Sequence, residues 1–207
     1  MAKGGHVIIV LTGIDGSGKS TAAQALVSAV QADGGTALLL NNHAGRRSMS
    51  VVSARLGFRL PARAADAVET TFRVWNVLVN HVRASGFDRV VIMDRHLHCQ
   101  LALRATKGLG RGRVLPWLLG ALPAPDAIVH LEVDPAVAHQ RIVARGTDAE
   151  TLDDLVAFAR GYRQLPEYGS FVKIDASVPG PELAQRLAEL VHGLTASMTD
   201  GRHAVPR

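Results

Sequence analysis

The chain carries a single cysteine, Cys99, and no Cys-x-x-Cys pair, which excludes an internal disulfide and a zinc finger. Aromatic residues are only 4% of the composition, leaving little material on which the bases of a single strand could stack. Long apolar runs are also missing. The longest, such as Val7 to Leu11 and Ala37 to Leu40, fall far short of the ~20 residues of a membrane helix. The apolar run after Lys3 leads straight into Gly13-Ile14-Asp15-Gly16 without a small-residue cleavage site, so the start is read as structural and the protein as cytoplasmic. What is present is 47% hydrophobic and 20% charged residues in a chain of 207, which suits one globular domain burying ~70% of its unfolded surface.

Charge is unevenly spread. Residues 43–113 hold 13 Lys/Arg against 4 Asp/Glu, net +9, while the rest of the chain is net −4. The middle therefore faces anions. Such a stretch serves a small phosphorylated ligand, a solvated face or nucleic acid; the first is favoured, and no nucleic-acid partner is expected.

Short apolar runs alternate with stretches of helical spacing, the pattern of a parallel sheet covered on both faces. Strands are expected at 6–12, 37–40, 89–93, 127–133 and 171–174. Helices are expected at 19–32, 65–85, 117–122, 135–145, 150–164 and 181–194, with Asp134 capping the one that opens at Pro135. Residues 43–64 are Arg-rich and irregular, a loop with one short helix near 51–56, and Lys107 to Arg113 describes a mobile basic loop interleaved with glycine. Residues 1–195 read as a single domain with a short lid near 141–150, and 196–207 as a flexible polar tail.

Gly13-Ile14-Asp15-Gly16-Ser17-Gly18-Lys19-Ser20 fits G-x-x-x-x-G-K-[ST] and lies between an apolar strand and a helix start. There, glycines let backbone N–H groups curl around phosphate oxygens, the helix N-terminus adds partial positive charge, Lys19 reaches the terminal phosphates and the Ser20 hydroxyl ligates Mg²⁺. With Thr21, residues 13–21 form the expected ATP site. Asp94 ends a buried strand, from which a carboxylate holds the magnesium of such a site, with Arg95 in reach of phosphate. The alternative is an Asp that caps the following helix, with Arg95 in a surface ion pair. Gly13, Asn41 and Asp94 all fall at strand carboxyl ends, where open parallel sheets collect ligands. An acid beside a phosphate cradle is unfavourable by itself, so Asp15 is expected to meet a ligand hydroxyl or a bound cation.

The run Gly13 to Thr21 resembles the phosphate-binding loop of thymidylate kinases, and Asp94-Arg95-His96 resembles their Asp-Arg-aromatic/His motif after the third strand. Pro125-Asp126, Asp134-Pro135, Gln140-Arg141 and Arg145-Gly146 resemble the family's fourth strand and the approach to its lid; Glu150, Phe158, Arg160, Tyr162 and Leu165 resemble its following helix. The resemblance spans residues 5–195. It implies a three-layer P-loop kinase fold of class α/β, a five-stranded parallel sheet with helices on both faces, ATP and Mg²⁺ as cofactors, and an Asp15 that contacts the sugar hydroxyl of the acceptor nucleotide.

Departures from the family lie in the acceptor region. An Arg-Glu-Pro-Gly-Gly-like segment is replaced by Asn41-Asn42-His43-Ala44-Gly45-Arg46-Arg47, and the Arg expected four positions after Phe72 is Asn76, with Arg73 next to the Phe. The lid segment Gly146 to Glu150 contains no Arg, so the charge of the transferred group falls to Lys19, Arg95, Arg141 or Arg145, with Asp94 on the metal. Acceptor contacts are assigned to Asp15, Arg46, Arg47, Phe72, Arg73, Asn76 and Arg95. Phe72 and Trp75 either stack a base or are buried on the core face of their helix. His96 and His98 have H-x-H spacing without a third ligand, and read as polar residues lining or flanking the site.

The sequence thus reads as an ATP-dependent kinase of a small-molecule phosphate acceptor, a nucleoside monophosphate with dTMP first by resemblance, with a homodimer in view and no membrane partner. Its rivals are a kinase of the same fold acting on a nucleoside or another small-molecule hydroxyl, and a nucleotide-binding regulatory protein without turnover. A GTPase is disfavoured, since no Asn-Lys-x-Asp segment occurs.

Overall fold

The computed structural model describes residues 6–42, 61–146 and 150–200. Strands β1 (Val7–Thr12), β2 (Ala37–Asn41), β3 (Val90–Asp94), β4 (Ala127–Glu132) and β5 (Val172–Asp175) form one parallel sheet in the order β2-β3-β1-β4-β5. Parallel neighbours cannot be closed by a hairpin, so helices carry the chain back across the faces. Among the described residues these are α1 (Lys19–Ala32), α2 (Ala62–Ser85), α3 (Leu97–Thr106), α4 (Val114–Ala121), α5 (Pro135–Arg145), α6 (Leu152–Arg163) and α7 (Gly180–Asp200). None is long and apolar enough to cross a membrane.

Every residue of β1 is buried, and its alternation divides the molecule into layers. Val7, Ile9 and Leu11 pack with Leu26 of α1 and Leu187 of α7; Ile8 and Val10 pack on the other face with Met93 and with Ala84 of α2. A further cluster joins Leu97 and Leu101 of α3, Ile142 of α5, and Phe158 and Tyr162 of α6. The expected three-layer fold with five parallel strands is borne out.

The differences have local causes. Periodicity does not delimit α3, because Leu97 through Leu103 are all buried and leave no polar face to alternate with an apolar one. α6 starts after Thr151, whose hydroxyl accepts from the Asp154 N–H while the Asp154 carboxylate accepts from the Thr151 N–H, a capping box. α4 opens three residues earlier than expected, and α7 continues to Asp200, so its polar end is helical where a tail was expected from residue 196. The short helix expected near 51–56 lies outside the described residues.

α3 and α6 approach so closely that a Cβ on Gly161 would collide with the Ala102 carbonyl. Gly161→Ala should therefore cost about 1–3 kcal/mol by overpacking, despite alanine's better helix propensity. Urea unfolding checks this; a variant as stable as the parent would mean that the two helices can separate freely.

Candidate active site

The sheet register sets Leu11, Asn41 and Asp94 side by side at its carboxyl edge, so the loops after β1, β2 and β3 open over one spot. After β1 the chain turns through positive φ at Gly13, Gly16 and Gly18. Gly16 is needed for closeness, because a Cβ there would strike the Ala138 carbonyl of α5. Gly18 caps α1 in the left-handed region, and α1 has neither a capping side chain nor an acid in its first turn. Its first N–H groups therefore point outward as an anion cradle. Ile14 anchors the loop by packing into the cluster beneath α3, α5 and α6.

Lys19 Nζ donates to the Ile14 carbonyl at 2.6 Å and to Ser17 Oγ at 3.3 Å, and lies 3.9 Å from Asp15. Burial, then the neighbouring Arg95, push its ammonium down to about 8 against the pull of Asp15 and Asp94. Ser20 Oγ donates to Asp94 Oδ2 at 2.8 Å, while Asp94 Oδ1 is buried without a hydrogen-bond partner. A spare buried carboxylate oxygen beside a hydroxyl fits a hard, oxygen-seeking cation such as Mg²⁺. The capping alternative for Asp94 fails: the cap residue of α3 is His96, and no side chain caps that helix.

Arg95 has φ 76, the left-handed region, and is the one non-glycine described residue with positive φ. Its N–H donates to the Leu11 carbonyl at 3.0 Å, and its guanidinium pairs inward with Asp15 rather than at the surface. Burial works to raise the Asp15 carboxyl, but Arg95 and Lys19, joined by a side-chain hydrogen bond with Glu150, hold it well below the usual carboxylate range.

A buried polar chain supports this turn. Asn42, 1% exposed, donates from Nδ2 to the Arg95 carbonyl at 2.6 Å and accepts at Oδ1 from Asn80 of α2 at 2.9 Å. Arg73 is equally buried: Nη1 reaches the Asn42 carbonyl at 3.3 Å, Nε reaches Gln100 of α3 at 3.1 Å, and Nη2 lies 3.9 Å from Glu69. Asn42, Asn80, Gln100 and Glu150 were not among the expected site residues. Asn42 had a signal, standing next to Asn41 at a strand's carboxyl end; Asn80 and Gln100 had none beyond being polar within apolar stretches.

The loop residues Gly13 to Thr21 thus meet Asp94 and Arg95 at one place, and Arg73 connects to them through Asn42. Other expected contacts fall elsewhere. Phe72 and Trp75 are 53% and 66% exposed, so burial on a core face is corrected: they occupy the outer side of α2. Asn76 is half-buried one turn along from Arg73. Arg141 is committed to the Ala176 and Ser177 carbonyls at 2.8 and 3.3 Å, and Arg145 is exposed at the end of α5. Arg46 and Arg47 lie outside the described residues. His96 and His98 are buried, not merely flanking: His96 Nε2 lies 3.0 Å from His81 Nε2, and the rings of His96 and His98 stack. Burial holds His96 well below the usual imidazole value and brings His98 to about 4, so both are neutral.

The sequence profile of the thymidylate kinase family matches residues 11–187, a span that contains the whole loop, Asp94 and Arg95, the last two residues of β1 and all of β2 to β5. The chain belongs to the thymidylate kinase family. Among relatives, it is 28% identical to a thymidylate kinase of Xanthomonas oryzae pv. oryzae over 210 residues, covering 96% of this chain and 88% of that protein. It is 28% identical to one of Synechococcus sp. over 202 residues, covering 88% and 94%. A probable thymidylate kinase of Pyrococcus abyssi is 31% identical over 165 residues, covering 75% and 78%. Thymidylate kinases use ATP and Mg²⁺, and the chain is an ATP- and Mg²⁺-dependent kinase of this family.

Lys19 supplies a test independent of turnover. In the free protein it titrates near 8, and an anionic triphosphate stabilises the ammonium form, raising that value. At about pH 8.5, ATP binding should therefore take up protons, and affinity should fall as pH rises further. Calorimetry in buffers of different ionisation enthalpy measures the uptake; none at all would mean that Lys19 is not at the phosphates.

Proposed function

We propose that the chain transfers the γ-phosphoryl group of ATP to dTMP by direct in-line attack of the acceptor phosphate oxygen, with no covalent enzyme intermediate. The observation that carries this reading is the Ser20–Asp94 hydrogen bond at 2.8 Å with the second Asp94 oxygen left over, beside Lys19 and Arg95. Ser20 and Asp94 would hold Mg²⁺, which supplies Lewis-acid charge for the phosphates. The loop amides and the first turn of α1 bind the donor, Lys19 neutralises the terminal phosphate, and Arg95, aimed by Asp15 and Asn42, faces the acceptor side. Asp15 retains lone pairs for an acceptor hydroxyl. Residues 1–195 act as one domain with a short lid near 141–150, at whose start Arg145 stands exposed at the end of α5 while Arg141 braces α5 to the loop after β5. A cytoplasmic setting, where ATP and nucleotides are pooled, belongs to the same reading.

One observation favours a second acceptor class. All three guanidinium nitrogens of Arg73 lie near protein partners, so α2 offers no ready clamp there for an acceptor phosphate, and an uncharged hydroxyl acceptor would suit such a pocket. A panel of dTMP, other monophosphates, thymidine, other nucleosides and simple sugars, scored by ADP release, separates the two. dTMP is expected to lead. In parallel, Asp94→Asn should raise the Mg²⁺ needed for half-maximal rate roughly ten- to hundredfold, the worth of a contact to a charged group; an unchanged Mg²⁺ titration would remove Asp94 from the metal. Silence across the panel with ATP still bound would favour the regulatory reading.

The homodimer is argued from α2, where exposed Phe72, Trp75, Val79 and Val82 recur at helical spacing as one apolar stripe. Pairing about a two-fold axis would give each stripe its own copy as partner. Trp75→Glu should then convert a dimer to a monomer by light scattering with its circular dichroism unchanged; a monomeric parent protein would end this proposal.

A further inference from the structure

A cavity of about 460 Å³ opens between the first half of α2, the end of α3 and the glycine-rich loop before α4. Arg63, Arg104, Arg111 and Arg113 line it, against one carboxylate, Asp66. Part of the positive surplus of the chain's middle is thus gathered in one concavity. Asp66 is already engaged, ion-paired with Arg104 and accepting from Gln100 Nε2 at 3.3 Å. Arg104 Nε also donates to the Gly110 carbonyl at 3.0 Å, and Arg111 forks onto Glu167 at 2.6 and 3.0 Å. Arg63 and Arg113 are exposed, and no acid among the described residues pairs with them.

Arginines collected in a concave surface repel one another and focus a positive potential that an anion relieves. A guanidinium fork matches phosphate oxygens two at a time, and the volume suits a small molecule. The lining contains no aromatic ring, so it offers no platform for a base, while Thr70 and Thr71 add hydroxyls. The chemistry selected is therefore a phosphate group. Position separates this cavity from the donor loop: Arg104 stands seven residues beyond Leu97, which opens α3 just after Arg95, ~10 Å along the helical rise. The polar chain Asp15, Arg95, Asn42, Arg73, Gln100 and Asp66 leads from one to the other.

We propose that this arginine-lined cavity is a second anion site, distinct from the ATP loop, that binds the phosphate of a small phosphorylated molecule. That molecule is either a separate effector or an acceptor whose remote end carries a second phosphate, since the single phosphate of dTMP is the attacking group and cannot reach both sites. The binding claim stands on the cavity alone; only the choice between these sources rests on the kinase reading.

The probe is inorganic pyrophosphate, titrated by calorimetry into the full chain saturated with ADP and Mg²⁺ so that the loop is filled. The Arg63→Ala/Arg113→Ala double variant should bind it at least tenfold more weakly than the parent. Arg83→Ala, an exposed arginine elsewhere on α2, should match the parent, and unfolding midpoints of all three should coincide. Equal binding to parent and double variant, or no binding at millimolar pyrophosphate, overturns the site. In steady-state assays, pyrophosphate raising KM for the acceptor assigns the cavity to the acceptor's remote end, and a changed kcat at constant KM assigns it to an effector. A chain that fails to bind ADP would sink the kinase reading; the titration repeated without ADP, on Lys19→Ala as well as the parent, would then judge the cavity by itself.

Discussion

The left-handed turn at Arg95 decides where two neighbouring charges go. Asp94 and Arg95 are consecutive, and an extended strand would send their side chains to opposite faces of the sheet. With φ at 76, the chain leaves β3 so that the Asp94 carboxylate meets Ser20 while the Arg95 guanidinium turns back onto Asp15 of the same loop. A non-glycine residue held there is strained by about 1–2 kcal/mol and persists only where its surroundings over-determine it. They do so here from three sides: the Leu11 carbonyl takes its N–H, Asn42 holds its carbonyl, and Asp15 holds its guanidinium.

That requirement reaches far into the fold. Asn42 can hold the turn only because β2 is paired beside β3 in a register that sets Asn41 opposite Asp94, and because Asn80 and Arg73 of α2 fix its side chain and carbonyl. Arg73 in turn depends on Gln100, which α3 presents from a wholly buried face. Buried polar groups of this kind are costly unless each finds its partner, so the chain of contacts is cooperative: loss of one leaves the next unsatisfied. Arg73 is thereby held as a strut of the site, each of its guanidinium nitrogens lying near a protein partner.

The sheet, its helices and the phosphate loop were legible in the sequence because each is written locally. β1 is an unbroken apolar run, α1 has a clean stripe behind a glycine loop, and α5 opens with an Asp-Pro cap. α3 was illegible as an element for the opposite reason, burial on all sides, which erases the period that marks a helix. The exposed Phe72 and Trp75 misled because an aromatic at helical spacing looks the same whether the face it marks meets the core or the outside. The Asn42–Asn80 and Arg73–Gln100 contacts join residues 38 and 27 positions apart, and no local pattern encodes such pairs.

Charge balance in the ligand-free site follows from the same contacts. Lys19 and Arg95 are each met by Asp15, and Lys19 folds back onto the Ile14 carbonyl of its own loop. Asp15 thus stands where a phosphate would otherwise be needed to keep two buried cations charged, which is why its carboxyl is held so far below its ordinary range. An incoming triphosphate competes with Asp15 for Lys19, and freeing part of that carboxylate leaves an oxygen that can accept from a substrate hydroxyl. The acid that looks out of place beside a phosphate cradle therefore couples the two halves of the site: occupancy of the donor side changes what Asp15 can offer on the acceptor side.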